Sequence, residues 1–104
     1  LNKGNGYDHP WILDRQDNCI KLEDERSGRI MEISTDYKAV VIYTTNFPSK
    51  KILFNKNKLY EQDAICFETQ NLPIGEKRKF VEDSLLLKGQ EYNHKTIFKF
   101  SSKE

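Results

Sequence analysis

A single carboxylate, Glu68, lies within a segment that otherwise has the composition of a β-strand, residues 63–73. Side chains alternate between the two faces of a strand. The residues predicted on the face of Glu68 are small or polar, and those on the opposite face are mostly bulky: Ala64, Cys66 and Gln70 against Ile65, Phe67 and Thr69. A glutamate is ionised at neutral pH and can accept a proton. The pattern therefore indicates a site, with a concave space above Glu68.

A second segment with chemical potential is Gly4-Asn-Gly-Tyr-Asp-His-Pro-Trp11. Carboxylates bind pairs of sugar hydroxyls by hydrogen bonding, and aromatic rings stack against the apolar faces of sugars. Asp8 and Trp11 supply these two group types. The same composition is also typical of a turn in which the Asp8 side chain bonds its own backbone. Residue types alone leave both interpretations open.

The composition excludes several classes of partner. Among 104 residues, Lys and Arg number 17 and Asp and Glu 16, so no charge excess points to nucleic acid or an anionic membrane. No apolar run approaches the ~20 residues that a membrane span requires, and residues 1–6 do not resemble a signal peptide. We therefore expect a soluble, cytoplasmic protein with one domain. The polar, glycine-rich start at Leu1 further suggests a piece of something longer.

The cysteines and histidines do not predict a metal site. Cys19 and Cys66 are expected to be free thiols, with one disulfide as the alternative. Neither cysteine has a second Cys or His at ligand spacing, and His9 and His94 are far apart in the sequence. No metal is needed to explain the pattern.

Short apolar segments separated by turn residues recur along the chain, which predicts an all-β fold. The apolar, β-branched segment Ala39-Val-Val-Ile-Tyr43 is expected to be a central strand, and turns are expected at residues 24–28 and 88–90, each joining antiparallel strands. Residues 71–83 are expected to form an irregular loop, and His94 to be a packed or edge histidine. The predicted strands are 11–13, 19–23, 29–35, 39–44, 51–54, 64–69, 84–88 and 92–100.

Three stretches stand out in order: Gly6-Tyr-Asp-His9, Ser27-Gly-Arg29 with Tyr43-Thr-Thr-Asn46, and Glu68-Thr-Gln-Asn-Leu-Pro73 with residues 86–92. Together they resemble the C-terminal third of the aldose 1-epimerase (galactose mutarotase) family. Gly6-Tyr-Asp-His9 is similar to its Gly-x-Asp-His motif. Ser27-Gly-Arg29, leading to Tyr43-Thr-Thr-Asn46, is similar to its Ser-Gly-Arg strand and its Tyr-Thr-x-Asn strand end. Glu68-Thr-Gln-Asn-Leu-Pro73, followed by residues 86–92, is similar to Glu-x-Gln-x-x-Pro and the closing Leu-x-x-Gly-x-x-Tyr.

The resemblance implies a fold and an activity. Residues 1–104 would be a C-terminal fragment of a single large antiparallel β-sandwich. The activity would be interconversion of the α and β anomers of a free aldose, such as galactose or glucose, without a cofactor. Glu68 would be the base that takes the C1 hydroxyl proton, and Asp8 would bind ring hydroxyls. The family's acid, a histidine, belongs to motifs absent from this chain, so we expect the fragment alone to be nearly inactive.

The resemblance also has gaps and an alternative. Val41 stands where some members have a sugar-contacting Gln, and Ile74-Gly75 replaces a frequent Asp-Ala, so substrate choice could differ. Strands that lack their sheet partners favour pairing with the missing N-terminal part or with a second copy. The alternative function is a non-catalytic carbohydrate-binding or regulatory β-sandwich of the same shape.

Overall fold

A computed structural model describes residues 5–49 and 57–103 of the chain. The described residues form two three-stranded antiparallel sheets, here called sheet A and sheet B. The strands are β1 (Asp8–Ile12), β2 (Ile20–Glu23), β3 (Arg29–Thr35), β4 (Ala39–Thr44), β5 (Ile65–Gln70) and β6 (Thr96–Ser102), and two short 3-10 turns span Glu76–Arg78 and Glu82–Ser84. The predicted all-β, antiparallel β-sandwich class is confirmed.

Sheet A has the strand order β1-β4-β5. The prediction that residues 39–43 form a central strand is confirmed: β4 pairs with both neighbours, and Ala39, Val40 and Val41 are buried. β1 contains Pro10, which cannot donate to a ladder and is compatible with a strand that pairs on one side only. β4 therefore fixes the positions of β1 and β5 relative to each other.

Sheet B has the order β2-β3-β6, and a tight turn joins its first two strands. As predicted, the turn spans residues 24–28, where Gly28 has φ +70° and donates its N–H to the Asp24 carbonyl at 2.8 Å. The Asp24 carboxylate accepts hydrogen bonds from the amide and the hydroxyl of Ser27, and the hydroxyl contact lowers its pKa. The side chain of Asp24 thus organises the turn locally.

The two sheets meet through three threonine hydroxyls. Thr96 of β6 lies 2.9 Å from the hydroxyl of Thr35 in β3 and 2.9 Å from that of Thr69 in β5. Ile33 and Val40 are the largest fully buried side chains. The face of β5 that carries Thr69 is therefore the inner face of sheet A, and the opposite face points away from sheet B.

Several strand predictions need correction. Residues 84–88 are not a strand, because Ser84 ends a 3-10 turn and residues 85–87 pair with none of the described strands. The turn at 88–90 is present, with Gly89 at φ +91°, but it does not join two strands. The last strand begins at Thr96 rather than at residue 92. The predicted strand 51–54 lies outside the described residues.

The strand that carries Glu68 also differs from its sequence interpretation. Within the described part of the chain, β5 pairs only with β4 and is an edge strand. Ile65 is 40% exposed, so this bulky residue on the face opposite Glu68 is not buried in a hydrophobic layer. Cys19 and Cys66 are free thiols, as predicted, although Cys66 is exposed. Among the described residues, no helix has the length and apolar character needed to cross a membrane.

Candidate functional site

Asp8 and Glu68 share the outer face of sheet A. Asp8 of β1 lies opposite Tyr43 of β4, and Glu68 of β5 lies opposite Val41 of the same strand. Directly opposed residues of antiparallel strands point to the same side, and Val41 and Tyr43, two residues apart, also share a side. At about 4.8 Å per strand and 3.4 Å per residue, the Cα atoms of Asp8 and Glu68 are roughly 12 Å apart.

Both carboxylates are exposed and available for a ligand. Over residues 5–49 and 57–103, no hydrogen bond or ion pair engages the carboxylate oxygens of either residue. The backbone amide of Asp8 donates to Nδ1 of His9 at 3.1 Å, and this bond leaves the Asp8 side chain free. Two free carboxylates on one face can accept several hydroxyl hydrogen bonds from one small polar molecule.

The surface between the carboxylates comes from β4. Val41 is only 9% exposed, and Tyr43 is half-buried. The hydroxyl of Tyr43 accepts a hydrogen bond from the amide of Asn46 at 3.2 Å, which fixes the ring. The floor of the site is therefore apolar and partly aromatic, with one carboxylate on each flank.

A group of four residues, here called the β1 latch, fixes the chain where it enters β1: Gly6, Tyr7, Thr44 and Asn46. The Tyr7 amide donates to the Thr44 hydroxyl at 2.8 Å, and the Tyr7 carbonyl accepts from Nδ2 of Asn46 at 2.8 Å. The Thr44 hydroxyl donates to Oδ1 of Asn46 at 2.7 Å. Sequence reasoning quoted these residues as motifs but gave Thr44 and Asn46 no role.

Gly6 is required for this close approach. It is buried, has φ +91°, and a Cβ at this position would lie 2.5 Å from the Thr44 hydroxyl and would also overlap the Asn46 side chain. Such a φ disfavours any side chain. The Gly-x-Asp-His and Tyr-Thr-Thr-Asn motifs, about forty residues apart in the sequence, therefore form one structural unit that includes Asp8.

Trp11 does not join the candidate site. Because it lies three residues from Asp8 in the same strand, its side chain is on the inner face of sheet A, where its ring centroid is 6.4 Å from that of Tyr7. His9 also lies on the inner face. The sequence-based suggestion that Trp11 stacks on a sugar held by Asp8 is therefore incompatible with this geometry.

His94 belongs to a separate cluster, in which it is exposed at the surface but contacts Tyr37 and Asp36. Its ring stacks on Tyr37 with centroids 3.9 Å apart, and its Nδ1 lies 3.1 Å from the Asp36 carboxylate. Desolvation opposes ionisation of Asp36, but the Lys95 amide and His94 outweigh it and lower its pKa. The hydroxyl of Tyr37 bonds that of Tyr92, which raises the pKa of Tyr37 to about 12.

A polar cavity of about 480 Å³ lies beside this cluster rather than at the two carboxylates. Its wall includes His94, Tyr92 and Asp83, while neither Asp8 nor Glu68 lines it. No group of three or more potential metal ligands occurs among the described residues. The carboxylates of Asp8 and Glu68 can therefore accept hydrogen bonds and transfer protons at this face of sheet A.

Comparison with known proteins bears on this arrangement. The family model described as aldose 1-epimerase matches residues 1–99. Galactose mutarotase of Mus musculus is 35% identical over 100 residues, which cover 92% of this chain and 29% of that protein. Galactose mutarotase of Homo sapiens is 34% identical over 101 residues, covering 93% and 30%. Aldose 1-epimerase of Streptococcus thermophilus is 27% identical over 108 residues, covering 96% and 31%.

These matches show the family of the chain, but they cover only part of the length of each relative. The chain spans just under a third of the length of the relatives it matches. No solved structure gives a significant match. Since the family model covers nearly the whole sequence, the chain belongs to the aldose 1-epimerase family.

Proposed function

We propose that this chain is the C-terminal part of an aldose 1-epimerase that interconverts the α and β anomers of free aldoses such as galactose or glucose. The observation that carries the proposal is the pair of free carboxylates, Asp8 and Glu68, on one face of sheet A with an apolar floor between them. Family membership supports mutarotation as the reaction. Roughly 12 Å between the two Cα atoms leaves room for one monosaccharide between the side chains.

Glu68 acts as the base. Anomer exchange requires removal of the proton from the C1 hydroxyl and delivery of a proton to the ring oxygen, after which the ring opens, C1 rotates, and the reverse transfers close it. Glu68 is exposed, has no competing partner among the described residues, and is held mid-strand opposite Val41. A free carboxylate at a fixed backbone position meets the geometric demand of general base catalysis.

Asp8 binds the ring hydroxyls on the other side of the site. Its carboxylate can accept two hydroxyl hydrogen bonds. The half-buried ring of Tyr43, which lies directly opposite Asp8, offers an apolar surface for a carbon face of the sugar. Val41 at the floor provides no hydrogen bond, so sugar hydroxyls are recognised from the flanks of the site.

The acid lies outside this chain in the proposed mechanism. His9 is on the inner face, and His94 is committed to Tyr37 and Asp36. Loss of one acid or base typically costs about 10²–10⁴ in rate, so the 104-residue chain alone is expected to be nearly inactive.

The rest of the sandwich is proposed to cover the apolar residues that the two sheets leave open. Trp11 is 50% exposed and Phe100 is 73% exposed, although each lies on the inner face of its sheet. Exposed inner-face residues of this size favour contact with further polypeptide. We expect the N-terminal strands of the same domain there, with a second copy as the alternative, and a cytoplasmic location suits the two free thiols.

The test follows the optical rotation of freshly dissolved α-galactose with the complete protein. We expect it to accelerate the change, and Glu68→Gln to remove most of that acceleration while sugar binding persists. Binding without acceleration by the unmodified protein would instead identify a non-catalytic carbohydrate-binding protein. Full activity of Glu68→Gln would exclude Glu68 as the base.

A further inference from the structure

We propose that the β1 latch positions Asp8, so that Thr44 and Asn46 set the affinity for the sugar without touching it. The inference rests on the proposed function of Asp8 and goes beyond it by assigning positioning roles to two residues of another strand. Thr44 ends β4, and Asn46 lies two residues beyond it.

The latch satisfies both backbone groups of the residue before Asp8. The Tyr7 amide donates a hydrogen bond to the Thr44 hydroxyl at 2.8 Å. The Tyr7 carbonyl accepts the Asn46 side-chain amide at 2.8 Å and the Thr44 backbone amide at 3.1 Å. Thr44 is 6% exposed, so its bonds to Tyr7 are partly shielded from water, whereas the bond from Asn46 lies at the exposed surface. The backbone at Tyr7 is therefore fixed at three points immediately before the residue that carries the carboxylate.

The position of Asp8 depends on the β1 latch because few other contacts hold β1 in place. β1 is five residues long, all of them exposed, and among the described strands it pairs only with β4. Its Pro10 has no amide to donate. Ends of short strands open readily when few buried contacts hold them. Asp8 is the first residue of β1, where fraying would move its carboxylate most.

The latch acts on Asp8 selectively. Glu68 is on β5, on the far side of β4, and its opposite residue, Val41, lies three residues before Thr44. Loosening the start of β1 is therefore expected to move one carboxylate and leave the other in place. Sugar binding should weaken while the proton transfer step is retained, a distinction that a general loss of folding does not produce.

The variants Asn46→Ala and Thr44→Val test this in the complete protein. Each is expected to raise KM for galactose roughly two- to ten-fold, as loss of one hydrogen bond does, and to change kcat less than about two-fold. Thr44→Ser keeps the hydroxyl and is expected to behave as the unmodified protein. Gln16→Ala is the matched control, because it removes another side-chain amide bond to a carbonyl, that of Asp36.

A double-mutant cycle separates positioning from general stability. In an Asp8→Ala background, Asn46→Ala should have no further effect on KM, because no carboxylate remains to be positioned. An equal rise in KM in both backgrounds, or an unchanged KM in Thr44→Val, would overturn the proposal.

Amide hydrogen exchange makes the outcome independent of activity. Asn46→Ala and Thr44→Val should accelerate exchange of the Tyr7 amide at least several-fold, while Gln16→Ala should not. If the unmodified protein neither binds nor converts an aldose, the proposed function fails, and with it the role of the latch in sugar affinity. Accelerated exchange would then still establish the latch as the support of Asp8, and unchanged exchange would refute that as well.

Discussion

Sheets A and B both carry carboxylates on the face that points away from the other sheet, but the surroundings of these carboxylates differ. On sheet B, Glu23 bonds Lys21 at 2.9 Å and also Lys103, and Glu32 lies 3.5 Å from Lys99. On sheet A, Asp8 and Glu68 have no such partner among the described residues.

This difference teaches which charges serve the fold and which are available for function. Cross-strand and near-neighbour ion pairs on a sheet surface each give a small stabilisation. An acid on a strand with no cation beside it contributes nothing of this kind. We therefore expect the unpaired carboxylates to bind a ligand. The paired carboxylates are expected to have no effect on the reaction rate.

The largest expected effect is on the mutarotation rate, and it should occur at Glu68 but not at Glu32. Glu68→Gln should lower the mutarotation rate of the complete protein by about 10²–10⁴, because a general base is lost. Glu32→Gln, the same change on sheet B, should leave the rate within about two-fold. Polarimetry with α-galactose measures both. Equal effects at the two positions would remove the functional distinction between the sheets.

The next effect concerns the core that holds the sheets. Ile33 is fully buried in β3, so Ile33→Ala should lower the free energy of unfolding by about 2–5 kcal/mol. Ile97, on neighbouring β6, is 49% exposed, and Ile97→Ala should cost less than about 1 kcal/mol. Urea denaturation of the complete protein gives both values. A similar loss at the two positions would contradict the assignment of Ile33 to the core.

Asp8 is expected to show an intermediate effect, on binding more than on turnover. Asp8→Ala removes the hydroxyl-binding carboxylate and should raise KM about ten-fold or more, the range of hydrogen bonds to a charged group. The fall in kcat should be smaller than for Glu68→Gln. Steady-state kinetics resolve the two parameters, and a fall in kcat alone would show that Asp8 acts in the chemical step instead.

The smallest effect concerns pH and the ion pairs of sheet B. Hydrogen bonds from Lys103 and Lys21 lower the pKa of Glu23 from its ordinary value of 4.5. Because the pKa of Glu23 is lower in the folded state, its carboxylate stabilises the fold fully above about pH 4.5. This stabilisation is lost as the pH falls through the folded-state pKa. Glu23→Gln should therefore lower the free energy of unfolding slightly at pH 7.

Urea denaturation of Glu23→Gln and of the unmodified protein, at pH 7, in acid and in salt, measures this difference in the free energy of unfolding. At a pH below the folded-state pKa of Glu23, and in about 1 M salt, the difference between the two proteins should shrink. Glu25→Gln, in the adjoining turn, is the control without a cation partner among the described residues. A difference that persisted in acid would show that Glu23 stabilises by packing and not by charge.

Prediction from the sequence succeeded where the pattern was local. The strands at Arg29–Thr35 and Ala39–Thr44 were predicted to the residue, because β-branched runs are bounded there by turn residues. It failed at residues 84–88, where three leucines suggested a strand, but 55%, 58% and 61% exposure shows that neither sheet A nor sheet B covers them. Hydrophobicity alone does not supply a partner strand.

The position of Trp11 illustrates how one boundary changes a site. A strand starting at residue 11 left Asp8 in a preceding turn, free to face the same way as Trp11. The observed strand starts at Asp8, so alternation places the two on opposite faces. The sequence also does not reveal that β1 needs no backbone donor at Pro10.

The sequence by itself determined the all-β class, the central strand, the family and the two candidate carboxylates, since these follow from composition, alternation and ordered motifs. Only the tertiary structure decided that Asp8 and Glu68 share a face, that β4 lies between them and that Thr44 and Asn46 fix the start of β1. Those relations depend on cross-strand register between segments far apart in the chain. Register is set by pairing and packing of the whole sheet, which no local pattern specifies.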